Sequence, residues 1–128
     1  MNGNRVWLYR CAASGKDSAS VLLMQKRELE AYAQEHQLEI VGRSGDEGSG
    51  PLFERPGLMK FNAVMERRRV DILLMSRLAC LGRDSDEVAR YWQSLREHGV
   101  RLCTVAEGEV YLDMRSLFRE LFGSKERR

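Results

Sequence analysis

The stretch Arg77-Leu78-Ala79-Cys80-Leu81-Gly82-Arg83 places two guanidinium groups and a thiol around a glycine within seven residues. What these side chains do decides the functional reading, and the setting marks the turn. The preceding run holds Val70, Ile72, Leu73, Leu74 and Met75, apolar at successive positions. Such a run fits a central strand of a parallel sheet, covered by helices on both faces. In open α/β sheets ligands bind where strands end at their carboxyl side. Ser76 to Arg83 is therefore where chemistry is expected. A second polar segment, Arg43 to Pro56 (RSGDEGSGPLFERP), is long and glycine-rich, which in a compact domain favours a functional loop. It carries Asp46, Ser49 and Arg55. Simpler roles compete: Asp46 and Ser49 suit turn capping, Arg83 can pair with Asp84 or Asp86, and Arg55 with Glu54 or Asp46.

These turns need a frame, and periodicity supplies one. Val6-Trp7-Leu8-Tyr9, within Arg5 to Cys11, reads as a first strand, followed by a small polar loop from Ala12 to Ser20. Val21 to His36 reads as a helix with Leu22, Leu29, Tyr32 and Ala33 on one stripe. Leu38 to Gly42 is a second strand. Pro56 suits a first helical position, and Leu58, Phe61 and Met65 give that helix an inner face ending at the basic run Arg67-Arg68-Arg69. After the central strand, Asp84 is the expected N-cap of a helix, with Glu87 closing a capping box. Val88, Tyr91, Trp92 and Leu95 share one face of it, and Gly99 suits the residue just past its end. Val100 to Val105 is a fourth strand, and Ala106 to Val110 a turn or short extra strand. A last helix spans Leu112 to Phe122. The order implies one α/β domain over residues 1–128, three-layered, with a mainly parallel sheet of four to five strands flanked by helices.

Composition narrows the classes. Charged residues are 31% of the chain but the net charge is +2, too balanced to argue for nucleic acid without segregation of the basic groups. No apolar run approaches a membrane span and Met1-Asn2-Gly3-Asn4 starts no signal peptide, so a cytoplasmic location without membrane contact is expected. Cys11, Cys80 and Cys103 are odd in number and include no CxxC pair, which reads as free thiols, small and hydrophobic, in a reducing compartment. His36 and His98 stand at helix ends without companions. No metal and no cofactor are implied.

Four motifs in order carry a family resemblance. Asp46-Glu47-Gly48-Ser49-Gly50 with Arg55-Pro56-Gly57-Leu58 resembles the D-x-x-S-G and R-P-G-L elements of the catalytic domain of serine recombinases, the resolvase/invertase family. Val70 to Leu74 followed by Leu78-x-x-Leu81-Gly82-Arg83-Asp84 resembles its central strand and L-D-R-L-G-R-D turn. Gln25 matches the glutamine of its first helix, and Gly99-Val100-Arg101-Leu102 its G-V-x-L strand entry. The resemblance covers nearly the whole chain. It implies DNA strand exchange, in which a serine hydroxyl attacks a phosphodiester and becomes covalently linked, with arginines stabilising the charge that spreads over the phosphoryl centre.

The chain departs from that pattern at the positions that matter. The family's first strand ends Y-x-R-x-S. If Tyr9 matches the tyrosine, Cys11 replaces the arginine and Ala13 the serine. If Arg10 matches the arginine, Leu8 and Ala12 stand at the other two places. Ala79 replaces the turn's aspartate and Cys80 its first arginine. Asp46, Ser49, Arg55 and Arg83 remain as phosphate or DNA contacts, with Arg10 a further candidate. Ser14, Ser18 or Ser20 would have to serve as any displaced nucleophile. In the resembled fold the strands ending at Cys11 and Cys80 are neighbours, which allows a thiol pair or soft-metal site, testable by a Cα separation of about 7 Å or less. Family members also continue into a DNA-binding domain, and this chain stops at Arg128. The expectation is a domain of recombinase type without cleavage, partnered by DNA weakly or by a second copy through Leu117, Phe118, Leu121 and Phe122. An active recombinase with a displaced nucleophile and an unrelated anion-binding module are the alternatives.

Overall fold

The structure, a computed structural model, describes residues 3–48 and 50–112. Its elements are β1 (Arg5–Ala12), α1 (Ser18–Glu35), β2 (Glu39–Glu47), α2 (Pro56–Glu66), β3 (Ile72–Met75), α3 (Ser85–Glu97), β4 (Arg101–Thr104) and β5 (Gly108–Glu109). Single 3₁₀ turns lie at Leu52–Glu54 and Leu78–Leu81. The strands form one sheet in the order β2-β1-β3-β4-β5, parallel except for the short edge strand β5. This is the mainly parallel, helix-flanked α/β sheet that the strand and helix order implies. The last helix expected at Leu112 to Phe122, with its apolar face, falls almost wholly outside the described residues.

Alternation along the two middle strands creates the layers. Val6, Leu8, Ile72 and Leu74 pack with Leu29 and Ala33 of α1 on one face. Trp7, Tyr9, Leu73 and Met75 face Leu58, Phe61 and Met65 of α2 and Tyr91, Trp92 and Leu95 of α3 on the other. All four residues of β3 are buried, as a strand covered on both sides requires.

Two boundaries that frame the site differ from the sequence reading. Strand β2 continues to Glu47, because Leu8 to Ala12 of β1 pair one-for-one with Arg43 to Glu47. The expected loop therefore starts five residues late; its glycine and acidic residues are poor strand formers, but the partner strand supplies the bonds. Helix α1 starts at Ser18, three residues earlier than apolar periodicity suggests. The capping box also opens differently. Asp84 Oδ1 does accept from the amides of Asp86 and Glu87, both at 3.1 Å. The Glu87 side chain instead accepts from the Leu52 amide at 3.0 Å, tying α3 to the loop before α2. At the far end Gly99 takes φ +73° and the Val100 amide reaches back to the Leu95 carbonyl at 2.8 Å, a Schellman-type stop.

Candidate functional site

Strand β1 runs on past Leu8, the last residue it pairs with β3. Gln25 of α1 supplies the missing partner: Cys11 N donates to Gln25 Oε1 at 2.9 Å and Gln25 Nε2 donates to Cys11 O at 2.8 Å. The carboxyl end of β1 is thus held open beside the turn that follows β3. Between them lies a cleft of about 460 Å³. Cys11, Ala13, Ala79 and Cys80 line it, together with Ser14, Arg55 and Arg77. Among the described residues no carboxylate lines it.

Cys11 and Cys80 are joined by a disulfide, with Cα atoms 5.9 Å apart. This corrects the free-thiol reading for two of the three cysteines. Spacing alone does not reveal the pair, because the bond depends on β1 and β3 being neighbours whose carboxyl ends meet. Cys103 of β4 is free and half-buried, and burial pushes its thiol pKa up.

Arg55 is the buried cation of the site, 6% exposed. Its Nε donates to Gly50 O at 2.8 Å, and its Nη1 donates to Cys80 O at 2.7 Å and to the Tyr9 hydroxyl at 3.4 Å. No ion pair involves it among the described residues, so neither Glu54 nor Asp46 neutralises it directly. The Tyr9 hydroxyl passes the interaction on, donating to Asp46 Oδ2 at 2.8 Å. Burial, countered in part by Arg55 and helped by Asp46, pushes the Tyr9 phenol up to about 12.

Asp46 has a further task. Its carboxylate accepts from the Gly57 amide through both oxygens, at 2.8 and 3.0 Å, which anchors the first turn of α2. A carboxylate suits that end of a helix. It also explains the glycine after Pro56: a Cβ there would lie 2.6 Å from Asp46 Oδ2 and 2.9 Å from Gly45 O. Ser44 holds the same residue from the other side, accepting from Trp7 Nε1 at 2.9 Å and donating to Gly57 O at 2.7 Å.

The remaining candidates separate. Arg10 points to the opposite face, its Nη1 3.5 Å from Leu22 O, and does not line the cleft. Arg83 lines an adjoining, mostly apolar groove of about 290 Å³ with Leu78, Ala79, Val88 and Leu112. Ser49 lies outside the described residues. Ser18 is buried and donates to Glu47. Arg77, noted in the sequence as part of this turn but not named among the phosphate contacts, also lines the cleft; its signal was its place at the exit of the central strand. Among the described residues there is no cluster of metal-ligating side chains, and no helix is long and apolar enough to cross a membrane.

An open, mainly parallel sheet flanked by helices, with a cleft lined by Arg55 and Arg77 between the carboxyl ends of its middle strands, defines the chain as an α/β domain. The family described as "Resolvase, N terminal domain" matches residues 8–127, and the chain belongs to that family. A resolvase family site-specific recombinase from Streptococcus pneumoniae is similar at 26% identity and TM-score 0.70, over 96% of this chain and 88% of that one. The catalytic domain of ISC1926 TnpA, an IS607-like serine recombinase, shares the fold at 24% identity and TM-score 0.71, over 93% and 78% of the two chains. The N-terminal catalytic domain of TP901-1 integrase shares it at 20% identity and TM-score 0.72, over 96% and 94%. No curated protein sequence matches the chain.

Proposed function

We propose that this domain is a serine recombinase relative that holds DNA phosphates in its cationic cleft without cutting the strand. The observation that carries the reading is what lines that cleft: Arg55 and Arg77 beside Ala13, Ala79 and the bonded Cys11–Cys80 pair. Tyr9 against Asp46 and Arg55, with Arg10 turned away, favours the register in which Ala13 stands at the nucleophile position. A methyl group cannot attack phosphorus. Loss of a single stabilising donor from such a site costs about 10²–10³ in rate, and here a guanidinium and a carboxylate are gone as well. What remains is phosphate binding through guanidinium groups, weak because the net charge is only +2.

A second reading rests on Ser14, whose hydroxyl-bearing residue also lines the cleft. An active enzyme would need that hydroxyl in line with the phosphorus at near-attack distance. Supercoiled plasmid incubated with the protein and quenched in detergent decides between them. The expected result is no covalent protein–DNA adduct. An adduct formed by the wild type and abolished by Ser14→Ala overturns the non-cleaving reading. In parallel, fluorescence anisotropy on a short duplex should show salt-dependent binding that Arg77→Ala weakens roughly fivefold, the scale of one lost phosphate contact. Binding that is absent, or indifferent to salt, removes DNA as the ligand.

A further inference from the structure

We propose that the floor of this cleft is a thiol–disulfide exchange site for small thiols that carry carboxylates. The chemistry needs no nucleic acid and stands whether or not DNA binds. Three observations converge on it.

The first is that both cysteines are held in place by neighbours, not by their own bond. Gln25 grips the main chain of Cys11 at two points, and the buried Arg55 grips the carbonyl of Cys80. Opening the disulfide therefore leaves the Cα atoms close to their 5.9 Å separation, inside the range of about 4.4–6.8 Å that a disulfide spans. The pair is built to open and reclose.

The second is access. Both residues line the cleft, whose 460 Å³ falls among small-molecule sites of about 300–1,000 Å³. They are unequal, since Cys11 is partly exposed while Cys80 is 7% exposed. Attack comes at the sulfur of Cys11. The third is charge. Arg55 and Arg77 line the cleft, and among the described residues no acidic side chain does. An entering thiol with carboxylates is attracted, and one with an ammonium group is repelled. The leaving thiolate forms on Cys80, whose carbonyl already accepts from the Arg55 guanidinium.

The exchange balances as follows. A thiolate RS⁻ attacks Cys11 Sγ; the RS–Sγ bond forms, the Cys11–Cys80 bond breaks, and the electron pair leaves on Cys80 Sγ, which takes a proton from water. A second RS⁻ attacks the sulfur of the bound R group, releasing RS–SR and a Cys11 thiolate that is protonated in turn. Two small thiols are oxidised to one disulfide, and the protein pair is reduced to two thiols. The reverse sequence, with RS–SR as oxidant, restores the bond.

The test compares mercaptoacetate with cysteamine on the native protein, at equal thiolate concentrations and without denaturant, with acid quench and intact-mass readout. The expected result is that the disulfide opens about five- to tenfold faster with mercaptoacetate at low ionic strength, and that the preference shrinks in high salt. Arg77 is exposed, so Arg77→Ala tests the charge argument without disturbing the core, and it should lower the preference. In Cys80→Ser, the symmetric disulfide of mercaptoacetate should load one adduct, on Cys11 and not on Cys103. Equal or inverted rates for the two thiols, an adduct first on Cys103, or a disulfide that opens only in denaturant each overturn the proposal. If Cys80→Ser does not fold, the wild-type rates decide alone.

Discussion

Arg55 satisfies three neutral oxygens from three different segments: the β2–α2 loop, the turn after β3, and strand β1. A planar fork can do this and a lysine ammonium on a flexible stem cannot, because its donors leave from one atom. Arg55→Lys should therefore leave Gly50 O or Cys80 O without its partner in a buried setting. The expected cost is about 1–3 kcal/mol, read from the urea midpoint. The same substitution keeps the charge, so DNA affinity should change less than stability does. If instead stability is untouched and affinity collapses, Arg55 is a ligand arm and not a brace. Tyr9 is bound up in the same brace, accepting from Arg55 and donating to Asp46. Its neutral form is favoured by folding, so its contribution is whole below its ordinary value of 10.0 and is lost as pH rises toward about 12.

At the scale of elements, the site exists because strand β1 outruns its neighbour β3 and a helix side chain finishes the pairing. Gln25→Ala should free the Cys11 amide and carbonyl at once. Amide exchange at Cys11 should then speed up by about tenfold or more, while amides of β3 keep their protection. Unchanged exchange at Cys11 would mean that the strand end is held by something other than Gln25. Much of this frame was legible in the chain. The apolar run through Met75 marked the central strand, and Leu58, Phe61 and Met65 marked the buried face of α2. Asp84 was legible as a cap because a cap is a local interaction. What stayed hidden was long-range. Arg43 to Glu47 are poor strand formers that join the sheet only because β1 offers bonds. Glu87 had a local partner in prospect and took a distant one, Leu52. The Cys11–Cys80 bond, separated by 69 residues, was within reach only through the family resemblance, which makes the two strands neighbours and allows the pair. Its 5.9 Å Cα separation meets the limit of about 7 Å, but no spacing rule contains the bond. A cleft does lie at the strand ends, and of the arginines named from the sequence Arg55 lines it. Arg77 lines it too, while Arg10 faces the other side of the sheet and Arg83 an adjoining groove.

Across the whole molecule the two edges of the sheet do different work. The carboxyl edge carries the open cleft, and the amino edge is closed by a charged clamp. Asp71 accepts from the amides of Gly3 and Arg5 at 3.2 and 2.9 Å. It also takes both prongs of the Arg5 guanidinium, Nε at 2.8 Å and Nη2 at 3.0 Å. This fastens the start of β1 to the residue before β3, so the two middle strands are tied where the cleft is not. The hydrogen bond from Arg5 is the main reason that the Asp71 carboxyl falls from 3.8 to about 2. The sign follows from linkage: the folded state binds this proton less readily than the unfolded chain, so the clamp contributes fully above pH 3.8 and is lost as pH falls toward about 2. Asp71→Asn should cost about 1–3 kcal/mol at neutral pH, toward the lower end because Arg5 stays partly in solvent. Urea unfolding at pH 7, 4, 3 and 2 checks it. The gap between wild type and variant should hold from pH 7 to about 4 and then narrow, because protonated Asp71 is as poor a partner for Arg5 as asparagine. A gap that stays constant down to pH 2 would show that the clamp works through the shape of the side chain, not its charge.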